Sequence, residues 1–163
     1  MSLSSQPTLG TLLRHVLELL DGAVEERYVR AGLDYRPRYT PVMRALLETR
    51  SASIRTIAKR AGLTHSAASQ TVAQMTKAGL LKTQAGEDGR ERIVSLSGRA
   101  LAMVPALSRF WATTNAAADE LDAELPFALS RLLRETIGAL EKRPFGERME
   151  TLTRTDDPAR IPS

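Results

Sequence analysis

Between His65 and Gln74 the chain reads HSAASQTVAQ, which sets a histidine, two serines and two glutamines among small residues. These side chains donate and accept hydrogen bonds, carry no fixed charge, and need no cofactor. That is chemistry for reading base edges. Glutamine pairs bidentately with adenine, and serine is compatible with several bases. His65, Ser66, Ser69, Gln70 and Gln74 are the candidate base contacts. Attraction to a polyanion has to come from elsewhere. From Arg50 to Ala100 there are nine Lys or Arg against three acids, so this window nets +6 while the other residues net −2. Arg55, Lys59, Lys77 and Lys82 are candidate phosphate contacts, which position a protein without reading sequence.

These residues need a scaffold, and the surrounding pattern supplies one. Ser53 caps a helix whose Ile54, Ile57, Ala58 and Ala61 face inward, and Gly62 ends it. Thr64 caps the next helix, with Ala68, Val72 and Met75 on its inner face and Gly79 at its end. Small Ala58 lies four residues before the turn glycine and lets the two helices approach closely, as in a helix-turn-helix. Two strands follow, Leu80 to Thr83 and Arg92 to Leu96, joined by the glycine-bearing turn QAGEDGR. They form a wing. Arg90 at its tip can enter a minor groove with Asp88 orienting it, and Arg92 adds a second wing cation.

Long amphipathic helices flank this middle. Leu9, Leu12, Leu13, Val16, Leu17, Leu20 and Val24 make a helical stripe. A helix opening at Ser97-Gly98 runs to a break at residues 124–126, and Leu129, Leu132, Leu133, Ile137 and Leu140 mark another. A winged helix of about 50 residues does not require such helices, and pairing with a second copy would bury them. The expected fold is therefore mainly α. Residues 40–97 form a winged helix-turn-helix of three helices plus a two-strand wing. Residues 8–35 and 98–143 form a helical dimerisation lobe, and residues 144–163 a polar tail.

The stretch SIRTIAKRAGLTHSAASQTVAQMTKAGLLKTQAGEDGRERIVSLSGRA resembles the winged helix of MarR-type regulators, the multiple-antibiotic-resistance repressor family. The family's acid-any-Arg wing pattern is matched by Asp88-Gly89-Arg90, followed by Ile93 to Leu96, Ser97 and Gly98. The resemblance implies a homodimer joined through the first and last two helices, a palindromic operator on double-stranded DNA, and repression relieved by a small-molecule effector. It places the effector cleft between the lobes, near Tyr35, Tyr39 and Trp111, with Arg36 and Arg38 close by. The chain departs from the family at Gln70 and Gln74, where many relatives are basic, and in its Pro- and Arg-rich YRPRYTP. A winged helix used only for protein contact is the competing reading, and the basic excess favours DNA.

Other classes find no support. There is no cysteine, which excludes disulfides, thiolate metal sites and thiol redox switching. His15 and His65 are far apart, so neither a metal nor a cofactor is expected. No nucleophile, phosphate loop or usable carboxylate pair argues for an enzyme: Asp119-Glu120 and Asp156-Asp157 are adjacent and point apart. No segment is long and apolar enough to be a membrane span or secretory signal, and a cytoplasmic location is expected.

Overall fold

The computed structural model describes residues 6–86 and 91–155. The wing-tip residues Asp88 and Arg90 lie outside them, as does Asp156-Asp157. Helix α1 (Leu9–Arg30) leads through a 3-10 turn (Pro37–Tyr39) into α2 (Thr40–Thr49). There follow β1 (Ser51–Ser53), α3 (Ile54–Ala61), α4 (His65–Lys77), β2 (Leu81–Ala85) and β3 (Arg92–Leu96). The C-terminal helices are α5 (Gly98–Glu124), α6 (Leu129–Lys142) and α7 (Phe145–Thr155). The chain divides into two compact units, Met1–Phe110 and Trp111–Ser163, with the division inside α5.

The first unit holds the winged helix. Its core is Val42, Met43 and Leu46 of α2, Ile57 of α3, Val72 and Met75 of α4, Leu80 before β2, Val94 of β3 and Leu107 of α5, all buried. Helix ends follow local chemistry. Ser53 Oγ accepts the Thr56 N–H at 3.4 Å to start α3, and Thr64 Oγ1 accepts the Ala67 N–H at 3.1 Å to start α4. Gly62 closes α3 with φ +65°, which a side chain rarely adopts, while the Leu63 N–H returns to the Ala58 carbonyl at 2.9 Å. That tight reversal brings α3 and α4 together, with Ala58 buried as expected between them. Removing the α4 cap with Thr64→Ala should cost about 1 kcal/mol. The melting temperature should fall by roughly 2–4 °C for a domain of this size. Thr64→Ser should restore it, and an unchanged melt for the alanine variant would remove Thr64 from the capping role.

Two features differ from the sequence expectation. The two expected wing strands, β2 and β3, are joined by a third, β1, in a sheet of order β1-β3-β2 that is antiparallel throughout. Ser51, Ala52 and Ser53 pair with Ser95, Val94 and Ile93, while Leu81 to Ala85 run against Leu96 to Arg92. Three residues are too few to show an alternating pattern, and Ser-Ala-Ser has no β-branched member. The strand exists because Arg50, at φ +63°, turns the chain out of α2 alongside β3. The second difference is α7, which occupies residues assigned from sequence to the polar tail. Phe145, Met149 and Leu152 fall at i, i+4 and i+7 on it and are exposed.

The second unit comprises the remainder of α5 with α6 and α7. Its α5–α6 junction is pinned by Asp122, whose Oδ1 accepts the Ser130 N–H at 3.1 Å. Bonds from the Ser130 side chain and backbone hold the Asp122 carboxyl below its ordinary pKa. Helix α6 buries none of its residues, and Leu132, Leu133, Ile137 and Leu140 stand exposed along it. Helix α1 falls in the first unit; its Tyr28 is buried, while its leucine stripe is exposed.

Candidate nucleic-acid interface

Helix α4 buries Ala68, Val72 and Met75, and this inner face fixes what the outer face offers. Ser66, Gln70, Ala73 and Lys77 follow one another at i, i+4, i+7 and i+11, all exposed, and Gln74 lies beside them. His65 is exposed at the N-terminus. Ser69 is half-buried, on the flank of α4 that turns toward the sheet. The outward face thus carries amides, a hydroxyl and a small Ala73, which no sequence signal singles out. Ala73 narrows the helix midway and lets the backbone come close to whatever it docks on. No acid stands in the first turn of α4, so its N-terminus presents unopposed N–H dipoles suited to an acceptor or a phosphate.

Cations flank this neutral face. Lys59, Lys77, Lys82 and Arg92 are exposed. A cleft of about 380 Å³ separates α4 from the sheet, lined by Ser69, Ala73 and Lys77 on one side and by Thr83 and Arg92 on the other. Two cations and several hydroxyls thereby face one opening, which suits a phosphate backbone passing between helix and wing. Arg55 is differently placed. Its Nη2 lies 3.3 Å from Glu91 Oε1, so its charge is partly neutralised as it ties the start of α3 to the wing. The pair is largely exposed and is worth at most about 1 kcal/mol, which a phosphate can outbid. A similar exposed pair, Arg60 with Glu48 at 3.4 Å, ties α3 to α2.

The candidate effector residues Tyr35 and Tyr39 are buried. They belong to a chain of edge-to-face rings: Tyr39 on Tyr35 at 5.7 Å, Tyr35 on Tyr28 at 5.2 Å, and Tyr28 on Phe110 at 5.4 Å. Burial pushes the Tyr35 phenol above its ordinary pKa, so it stays neutral and donates to Thr40 Oγ1 at 3.4 Å. Burial also raises the Asp21 carboxyl, with Glu25 adding to the shift and Arg38 opposing it. Arg38 lies at one end of the aromatic chain, its guanidinium carbon 6.0 Å from the Tyr39 ring centroid. Trp111 is half-buried in the second unit. Among the described residues no three His, Asp or Glu are grouped to hold a metal ion. No helix among them is long and apolar enough to cross a membrane.

One group that sequence reasoning missed is Arg99, which reaches from α5 to the end of α4. Its Nη1 donates to the Ala78 carbonyl and its Nη2 to Asp34 Oδ2, both at 2.9 Å. No local signal marks it, because its partners lie 21 and 65 residues away.

Residues 31–91 match the family model of the MarR family. Solved structures with the same fold are transcriptional regulators. The Mycobacterium tuberculosis regulator MosR, solved with DNA, is 17% identical with a TM-score of 0.64, over 83% of this chain and 96% of that one. PcaV of Streptomyces coelicolor, solved with its natural ligand, is 23% identical at 0.59, over 88% and 96%. BpsR of Bordetella bronchiseptica, whose DNA binding is regulated by 6-hydroxynicotinic acid, is 17% identical at 0.59, over 83% and 96%. No curated protein sequence matches the chain.

Proposed function

We propose that this chain, whose residues 31–91 match the family model of the MarR family, is a homodimeric repressor that binds a palindromic operator and is released by a small molecule. The observation that carries the reading is the outer face of α4. Ser66, Gln70 and Gln74 stand exposed opposite a fully buried face, with Lys77 and Arg92 at the adjoining cleft. A helix of that kind docks by its N-terminal residues in a major groove, and a two-fold dimer places the second one helical turn of DNA away, about 34 Å. Lys59, Lys77, Lys82 and Arg92 supply the phosphate contacts in this reading, with Arg90 of the wing tip in the minor groove.

Dimerisation is supported by the apolar stripes left exposed on α1 and α6, to which α7 adds a third. Effector control is supported by what similar proteins bind. In this reading the effector acts at the aromatic chain of Tyr28, Tyr35 and Tyr39, whose rings are buried against one another and have to part to admit it. The test is selection of fragments from the source genome by the purified protein at physiological salt. Recovered fragments should share an inverted repeat and outcompete bulk DNA by at least about a thousandfold. Recovery with no shared sequence would leave a polyanion-binding surface only.

A further inference from the structure

The end of α4 is held by donors from Ser97 and from Arg99 of α5 rather than left to water. The last carbonyls of a helix have no partner within it. Here Ala78 C=O accepts from Arg99 Nη1 at 2.9 Å, Gly79 C=O accepts from Ser97 Oγ at 2.7 Å, and Leu80 C=O accepts from the Ser97 N–H at 2.9 Å. Ser97 is buried, and its Oγ also accepts the Ala100 N–H at 3.1 Å, so the clamp is continuous with the first turn of α5. A guanidinium at this point also meets the negative end of the α4 dipole. The second arm of Arg99 leaves the winged helix and reaches Asp34 at 2.9 Å. Asp34 directly precedes Tyr35, whose ring is locked edge-on between Tyr28 of α1 and Tyr39. The carboxylate is exposed, but its backbone is fixed by the buried neighbour.

We propose that Arg99 is a positioning residue for operator reading: bonded at once to the last turn of α4 and to Asp34, it fixes the pose of α4 against α1 and so the spacing at which a dimer reads two half-sites. The inference rests on the dimeric operator reading above. Neither side chain has to touch DNA. A planar fork with two donor arms suits the task, and a lysine ammonium serves both acceptors poorly. The pair also gives an effector that disturbs the Tyr35 segment a short route to the reading helix, through one side chain.

Two measurements test it. In DNA-free protein, Arg99→Ala should speed amide exchange at Gly79 and Leu80, whose N–H groups bond Thr76 and Met75 carbonyls within the clamped turn. On operators with the central spacer lengthened or shortened by one base pair, wild type should discriminate strongly. Arg99→Ala should lose about fivefold of that preference, at the low end of coupling between sites. Its penalties for base changes within a half-site should stay unchanged. Arg99→Lys should recover part of the preference. Asp34→Ala should mimic Arg99→Ala, and the double variant should be no worse than the single. Equal loss on every spacer, or additive effects of the two alanines, would overturn the strut's role in reading. Unchanged exchange at Gly79 and Leu80 would overturn the strut itself, whether or not the protein binds an operator. A wild type that binds none would instead remove the functional reading.

Discussion

With Leu13 and Leu17 both replaced by glutamate, the protein should sediment as a monomer at micromolar concentration and lose at least about a hundredfold in operator affinity. Leu9, Leu12, Leu13, Val16, Leu17 and Leu20 lie on one side of α1 and keep 37–65% of their surface in contact with water. Fully burying such a side chain is worth about 1.5–3 kcal/mol, so covering what remains open is worth roughly 1 kcal/mol each. Six on each of two copies give a gross gain of order 10 kcal/mol. The exposed residues of α6 and α7 raise it further, enough to offset an association cost of about 4–15 kcal/mol. Two glutamates in the middle of the stripe would carry four charges into the interface of a symmetric pair, and these would be without partners. Buried unpaired charge costs far more than the leucines contribute. The helix should survive, because glutamate is a good helix former and positions 13 and 17 are solvent-facing in the single chain. A monomer presents one reading helix and forfeits the second binding event, which is worth a factor of about 10²–10⁴ when geometry allows both. Sedimentation, far-ultraviolet dichroism and a mobility shift on the same samples separate these terms. A variant that keeps its helix content, remains dimeric and binds as wild type would show that α1 is not in the interface.

Much of the scaffold of the candidate interface was legible because its signals are local. Ser53, Thr64, Gly62 and Gly79 act within a turn of themselves, and each sits in the structure at the boundary its chemistry predicts. The inner face of α4 was legible for the same reason, since burial of Ala68, Val72 and Met75 follows from helical spacing. What was not legible depends on chain segments remote in sequence. Strand β1 is a strand only because β3 lies beside it. Arg99 reads as one more surface cation until α4 and Asp34 are seen at its two arms. The ion pair of Arg55 with Glu91 joins residues 36 apart, so no local signal marks it. Helix α7 was hidden for another reason. Its three apolar residues are outnumbered by polar ones, and composition spoke louder than spacing.

The near-neutrality of α4 leads to the second large effect, a division between reading and attraction. Lys77 is the only full charge on α4 and stands on the same line as Ser66 and Gln70, seven residues beyond Gln70. At 1.5 Å per residue that is about 10 Å along the axis. The major groove is about 12 Å wide, so with Gln70 at the base edges Lys77 lies at the rim with the phosphates. Arg92 faces the same cleft from β3. Lys77→Ala and Arg92→Ala should each weaken binding to all sequences alike and flatten the salt dependence. The log–log slope should fall by roughly 0.9 for each phosphate left without its cation, hence by about 1.8 in a symmetric dimer. Gln70→Ala should leave the slope unchanged and instead relax the choice at one position per half-site. Discrimination there should drop by about 1–3 kcal/mol if the amide pairs bidentately with adenine. The check is a titration of the three variants against one operator and its single-base substitutions at several salt concentrations. Three variants that behave identically, each losing slope and none losing choice, would mean that His65 to Gln74 forms only a neutral gap in a cationic surface. Loss of choice confined to Gln70→Ala, with loss of slope confined to the other two, is the outcome required if short polar side chains read while cations outside them hold the backbone.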